Sequence, residues 1–93
     1  MRLTEQQVDI IKSEILKYDS KAEIYLFGSR VDDGAKGGDI DLLVLSKEIS
    51  FEHKIKILAQ FMIKMGEQKI DLVIAADESK PFTQIALDEG ILL

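Results

Sequence analysis

The feature that most constrains the fold is the segment Asp39–Leu45, which reads DIDLLVL. Apart from Asp39 and Asp41, every residue in it is apolar, which is typical of a strand covered on both faces. Such a strand needs other elements packed above and below it. The segment therefore predicts a layered domain built around this strand.

Apolar periodicity and turn residues define the other elements. Thr4 and Gln7 form a capping-box pattern ahead of a helix predicted over about 4–18. The remaining predictions are a strand over 22–27, a loop over 30–38, a helix from Phe51 to Gly66 with an inner stripe of Phe51, Ile55, Leu58, Met62 and Met65, a strand over 69–74, and a helix over 82–89. This order predicts a single α/β (α+β) domain over 1–93, with a small mixed sheet of about three strands packed with helices.

Composition and charge exclude several classes of function. The chain has 93 residues, no cysteine and one histidine, which excludes disulfide scaffolds, thiol catalysis and zinc sites built on cysteine. A net charge of −5 disfavours direct binding to nucleic acid and favours metal ions or a basic protein partner. No apolar run is long enough to span a membrane, and the polar N-terminus lacks a secretory signal pattern. We therefore expect a cytoplasmic protein.

Three aspartates are predicted to approach one another at one edge of the sheet. Asp39 and Asp41 are two residues apart on the strongest strand, so their side chains share a face about 6.6 Å apart. The long helix that follows favours a parallel pairing with the next strand, which places Asp71 level with Asp41. The short glycine-rich link favours an antiparallel pairing with the preceding strand. That pairing brings Gly28 and Ser29 to the same corner.

Such a cluster of carboxylates suits a divalent cation. At about 5 Å and an effective dielectric near 20, each like-charged pair costs about 3 kcal/mol. Hard oxygen ligands on one rigid face suit Mg²⁺ or Mn²⁺, whose coordination is completed by water and substrate phosphates. A solvated strand edge is the alternative explanation for an Asp-x-Asp motif taken alone.

The segment Gly28–Arg30 is a candidate phosphate site. Gly28 permits close approach to the backbone, Ser29 offers a hydroxyl, and Arg30 is able to bind a phosphate with two hydrogen bonds. The alternative is a simple strand-ending turn with a surface arginine. The Walker A pattern and the dinucleotide-binding glycine fingerprint are both absent from this region.

Taken together, these motifs resemble the minimal nucleotidyltransferase family of the DNA polymerase beta-like superfamily. The resemblance rests on FGSR at 27–30, GGDIDLLV at 37–44 and KIDLVI at 69–74, and it extends over nearly the whole chain. It implies a single-domain nucleotidyltransferase fold. By position in the motifs, it implies that Asp39, Asp41 and Asp71 are catalytic and bind metal, and that Gly28, Ser29 and Arg30 bind the nucleotide.

The resemblance also implies a reaction and a partner. A hydroxyl would attack the α-phosphorus of ATP in the presence of Mg²⁺ or Mn²⁺, and pyrophosphate would leave. Free-standing relatives usually pair with a HEPN protein, often an RNase toxin, and some are thought to transfer AMP to a tyrosine of that toxin. The resemblance thus implies an antitoxin that modifies a HEPN partner, while the net charge and the lack of a long apolar run separately predict no direct binding to nucleic acid or membranes.

Two other functions remain open at this point, as does assembly into a homo-oligomer. Family members often carry a second arginine where this chain has Asp32 and Asp33, and negative charge there weakens triphosphate binding. The second hypothesis is therefore a catalytically weak or inactive binding module that neutralises its partner by contact. A structural domain whose acidic corner only binds ions is the third hypothesis.

Overall fold

The computed structural model describes residues 1–31 and 38–93 of the chain. The described residues form a small α+β domain with three helices and a four-stranded mixed sheet, the fold class that the sequence predicted. In chain order the elements are α1 (Glu5–Leu16), β1 (Glu23–Phe27), a 3₁₀ turn (Gly28–Val31), β2 (Ile40–Leu45), α2 (Phe51–Met65), β3 (Ile70–Ala75), α3 (Pro81–Glu89) and β4 (Ile91–Leu92).

The sheet has the order β3-β2-β1-β4. Strands β1 and β2 pair antiparallel, and β2 and β3 pair parallel through the α2 crossover, as the lengths of the two connections predicted. Strand β4 pairs with the outer edge of β1 and was not predicted, because its two residues are too few for a periodic pattern. The strand that carries Asp41 therefore lies inside the sheet, with a partner on each side.

Strand β2 is buried on both faces, which explains its apolar sequence. Ile40, Leu42 and Val44 join the main core with α1 and α2. Leu43 is also fully buried, on the opposite face, where α3 packs against the sheet at β1. Asp41 shares this second face, because side chains alternate along a strand. The site therefore lies on the α3 side of the sheet.

Polar contacts stabilise α1 and α2, the two helices on the opposite side of the sheet from α3. The capping box at the start of α1 is present: Thr4 Oγ1 accepts a hydrogen bond from Gln7 N, and Thr4 N donates to Gln7 Oε1. Glu14 is only 1% exposed and forms ion pairs with Lys17, the residue that caps the C-terminus of α1, and with Lys64 in α2. This carboxylate therefore joins the two helices. No helix in the described ranges is long and apolar enough to cross a membrane.

The predicted inner stripe of α2 was largely wrong. The fully buried side chains are those of Ile57 and Phe61, whereas Phe51 and Met62 are 74% and 67% exposed. Only Leu58 and Met65 of the predicted stripe pack against the core. The helix carries two apolar faces at helical spacing, and periodicity alone does not show which face meets the sheet.

Candidate active site

Asp41 and Asp71 occupy neighbouring positions on the second face of the sheet. They are direct partners in the parallel β2–β3 register, and Phe27 is the antiparallel partner of Asp41. Directly opposite residues share a face, so Phe27, Asp41 and Asp71 form a row across three strands spaced about 4.8 Å apart. Asp41 is partly buried in the middle of the row, and Asp71 is exposed on the edge strand.

Gly28 brings the turn after β1 against this row. Its φ angle is +76°, in the left-handed region that favours glycine. A Cβ atom at this position would collide with the carboxylate of Asp41. The missing side chain is therefore what allows the backbone of the turn to touch Asp41. Ser29 and Arg30 follow in the 3₁₀ turn, and the role of the Ser29 hydroxyl stays a prediction.

The electrostatics of the row are unfavourable for Asp41. Burial raises the pKa of its carboxyl, and the hydrogen bond and negative charge of Asp71 raise it further, followed by the charge of Asp39. Lys69 opposes these effects only in part. The ionised form of Asp41 is therefore destabilised in this environment, and a cation bound next to it would offset that destabilisation.

Asp39 is close enough to act on Asp41, but its own carboxylate is paired with a lysine. Lys69 Nζ lies 3.3 Å from Asp39 Oδ2, and this contact is the main cause that raises the pKa of Lys69. The two residues immediately precede β2 and β3, so the parallel register brings them together. The ion pair is open to solvent, with 73% of the lysine side chain exposed, and it is easily exchanged.

Arg30 has contacts other than the predicted one. Its Nε donates a hydrogen bond to Gly38 O at 3.2 Å, and its Nη1 donates to Arg2 O at 3.0 Å. Arg2 N in turn donates to Arg30 O. The guanidinium therefore joins the N-terminal segment to the residues ahead of β2. Asp32 and Asp33, which bear on the phosphate site in the sequence, lie outside the described residues.

A cleft of about 480 Å³ borders the row. Its walls include Phe27, Asp41, Asp71, Lys54 from α2 and Phe82 from α3. Sequence reasoning missed Lys54 and Phe82 as site residues. No local signal identifies them, because each sits in a helix far along the chain from the motifs, and only the packing of those helices brings them here.

The match to a family model extends across this whole arrangement. Residues 5–93 match the model described as polymerase beta, nucleotidyltransferase. The chain belongs to this family. A sequence search among curated proteins gives no match. The family assignment covers every element that builds the Asp41 row, and it supports nucleotidyl transfer as the type of chemistry.

Nucleotidyltransferases of this superfamily generally use divalent metals and nucleoside triphosphates. Within the described ranges, no three His, Cys, Asp or Glu side chains are already grouped as a metal site. The donors nevertheless fit such an ion in chemistry and position, because Asp41 and Asp71 are adjacent and the charge of Asp39 acts on Asp41. For Asp39 to take part, its carboxylate must leave Lys69.

Proposed function

We propose that this chain is a metal-dependent nucleotidyltransferase that transfers AMP from ATP to a hydroxyl group. The observation that carries the proposal is the pairing of Asp41 with Asp71 directly beside the Gly28 turn. A purely structural role does not explain why two like charges are held side by side, or why a turn with a glycine at positive φ is packed directly against one of them. A site for a cation and a triphosphate does.

Each residue of the site has a role in this reaction. Gly28 and Ser29 would receive the triphosphate at the turn. Asp39, Asp41 and Asp71 would hold Mg²⁺ or Mn²⁺, which supplies charge neutralisation for the triphosphate when bound. The acceptor oxygen forms a bond to the α-phosphorus while the bond from this phosphorus to the oxygen bridging to the β-phosphate breaks, and pyrophosphate leaves. Asp71, the exposed carboxylate of the row, takes the proton of the attacking hydroxyl.

We further propose that the acceptor is a tyrosine of a HEPN-type partner, so that the chain acts as an antitoxin. The net charge of −5 supports a basic partner, because complementary charge speeds the encounter and disfavours wrong partners. Asp71 is exposed and lies on the edge strand β3, so a protein surface would be able to reach this carboxylate from outside the sheet. The site thus combines a partly buried carboxylate for the nucleotide with an exposed one for the acceptor.

Labelled nucleotide tests this function directly. The protein is incubated with α-labelled ATP, Mg²⁺ and the product of the adjacent gene, and label on that product is measured after denaturing electrophoresis. We expect label with the unaltered chain and with Asp9→Asn, an exposed carboxylate in α1 that serves as control. Asp41→Asn should abolish the label. Absence of label with both Mg²⁺ and Mn²⁺ would contradict the proposal.

The second candidate function is neutralisation of the partner by contact alone. Two observations favour it: Arg30 is engaged with backbone carbonyls, and Asp32 and Asp33 add negative charge to the predicted phosphate loop. Growth of cells that produce the partner with Asp41→Asn separates the two candidates. Full neutralisation by this folded variant would support contact, and its loss with binding retained would support catalysis.

A further inference from the structure

An aromatic pair forms the side of the cleft next to Asp41. The rings of Phe27 and Phe82 meet edge to face, with their centroids 5.7 Å apart and an angle of 79° between their planes. Both rings line the cleft that contains Asp41 and Asp71. Charged and aromatic groups therefore border the same space, which suits a ligand that has a charged part and a flat apolar part.

Phe82 contacts a second aromatic ring and remains half exposed. It stands in the first turn of α3, directly after Pro81, and the helix is anchored by the buried residues Thr83 and Ala86. The edge-to-face contact with Phe27 orients the ring, while 51% of the residue stays exposed to solvent. A large, partly exposed aromatic side chain beside a charged cleft is a suitable surface for a flat ring.

Phe82 also borders a second cleft, of about 420 Å³. This cleft runs along the end of β3 and shares Val73 and Phe82 with the first one. Asp77, Ser79 and Lys80 supply charged and polar groups to its wall. A molecule that extends from the Asp41 row past Phe82 would thus meet an aromatic surface first and hydrogen-bonding groups beyond it. A nucleobase with its polar edge matches this sequence of surfaces.

We propose that Phe82 is the platform on which the base of the bound nucleotide stacks. The inference rests on the proposed function, because it assumes that the triphosphate lies at the Gly28 turn and the Asp41 row. Stacking uses the flat face that every base has, so it adds affinity without strong selection among bases. Any preference for one base over another would then come from hydrogen bonds between Ser79 or Lys80 and the polar edge of the base.

Calorimetry with two ligands tests the platform. ATP and inorganic tripolyphosphate, which has no base, are titrated in excess Mg²⁺ into the unaltered chain, Phe82→Ala, Phe82→Leu and Phe82→Tyr. We expect the affinity for ATP to fall roughly 5- to 150-fold in the Ala variant, to fall in the Leu variant, and to persist in the Tyr variant. The affinity for tripolyphosphate should stay unchanged. Ile85→Ala removes a similarly exposed apolar side chain one turn further along α3, which lines neither cleft, and should change neither affinity.

The possible results separate this inference from the function on which it rests. If the unaltered chain binds ATP and the folded Ala and Leu variants bind it equally well, the platform is refuted and the proposed function stands. Lower labelling of the partner with unchanged ATP affinity would also refute it and would assign Phe82 to the acceptor. A parallel loss of ATP and tripolyphosphate binding refutes it too. Failure of the unaltered chain to bind either ligand would contradict the proposed function itself.

Discussion

Asp41→Asn should make the ligand-free protein more stable while it removes the proposed activity. In the structure Asp41 is paired with Asp71, one strand spacing away, and its pKa is raised by burial and by that neighbour. Two charges about 5 Å apart repel by about 0.8 kcal/mol in water and about 3 kcal/mol at an effective dielectric of 20. Because Asp71 is exposed, the lower value applies more closely. We expect a gain of about 1 kcal/mol at neutral pH.

Thermal unfolding followed by circular dichroism measures this gain. For a domain of this size, 1 kcal/mol corresponds to a rise in Tm of about 4–8 °C. A group whose pKa is raised in the folded state stabilises the fold when it is protonated, and this stabilisation is lost as the pH rises through the folded pKa. The advantage of Asp41→Asn should therefore be full at neutral pH and disappear below about pH 3.9.

Added Mg²⁺ supplies the complementary test of the same reasoning. The ion should raise the Tm of the unaltered chain by linkage, and it should have a much smaller effect on Asp41→Asn. Asp9→Asn is the control, because it removes an exposed carboxylate of α1 outside the site. If Asp41→Asn leaves the Tm unchanged or lowers it at neutral pH and low salt, the carboxylates do not repel as argued, and the electrostatic case for a cation fails.

Three further substitutions have defined outcomes. Gly28→Ala should lower stability by about 1–3 kcal/mol in urea unfolding and weaken ATP binding in calorimetry. The added Cβ would meet the Asp41 carboxylate, and the positive φ is strained for a residue with a side chain. Unchanged ATP binding would contradict the close approach of this turn to Asp41. Glu14→Gln should cost about 1–2 kcal/mol at pH 7. Ion pairing to Lys17 and Lys64 lowers the pKa of Glu14, so this loss should shrink as the pH falls below about 4.3, and a loss independent of pH would refute the ion-pair explanation. Ser46→Ala should cost about 1–2 kcal/mol in urea unfolding, because Ser46 Oγ accepts from two backbone N–H groups and donates to a carboxylate. A cost below about 0.5 kcal/mol would contradict this explanation.

The sequence predicted the sheet well where local rules determine it. The apolar run after Asp41 identified the buried strand, and the lengths of the two connections indicated the antiparallel and parallel pairings. From these rules alone Asp71 was expected level with Asp41, which is the observed register. Backbone periodicity and connection length are properties of the chain itself, so they can be read without knowing how the layers pack.

Features that depend on packing between distant elements were not predictable in this way. Which apolar face of α2 meets the sheet depends on the shape of the core, and the sequence carries two candidate faces. The ion pair of Lys69 with Asp39 and the engagement of Arg30 with backbone carbonyls depend on where side chains find partners across the fold. The position of Phe82 beside the Asp41 row follows from the placement of α3, which no motif encodes.

A crystal of the protein grown with Mn²⁺ and a non-hydrolysable ATP analogue would show whether the carboxylate row binds a metal ion together with the triphosphate. We expect anomalous density for the ion in contact with the carboxylates of Asp41 and Asp71, with the triphosphate against Gly28. Nucleotide and ion bound at another surface, with these two carboxylates left uncoordinated, would contradict it.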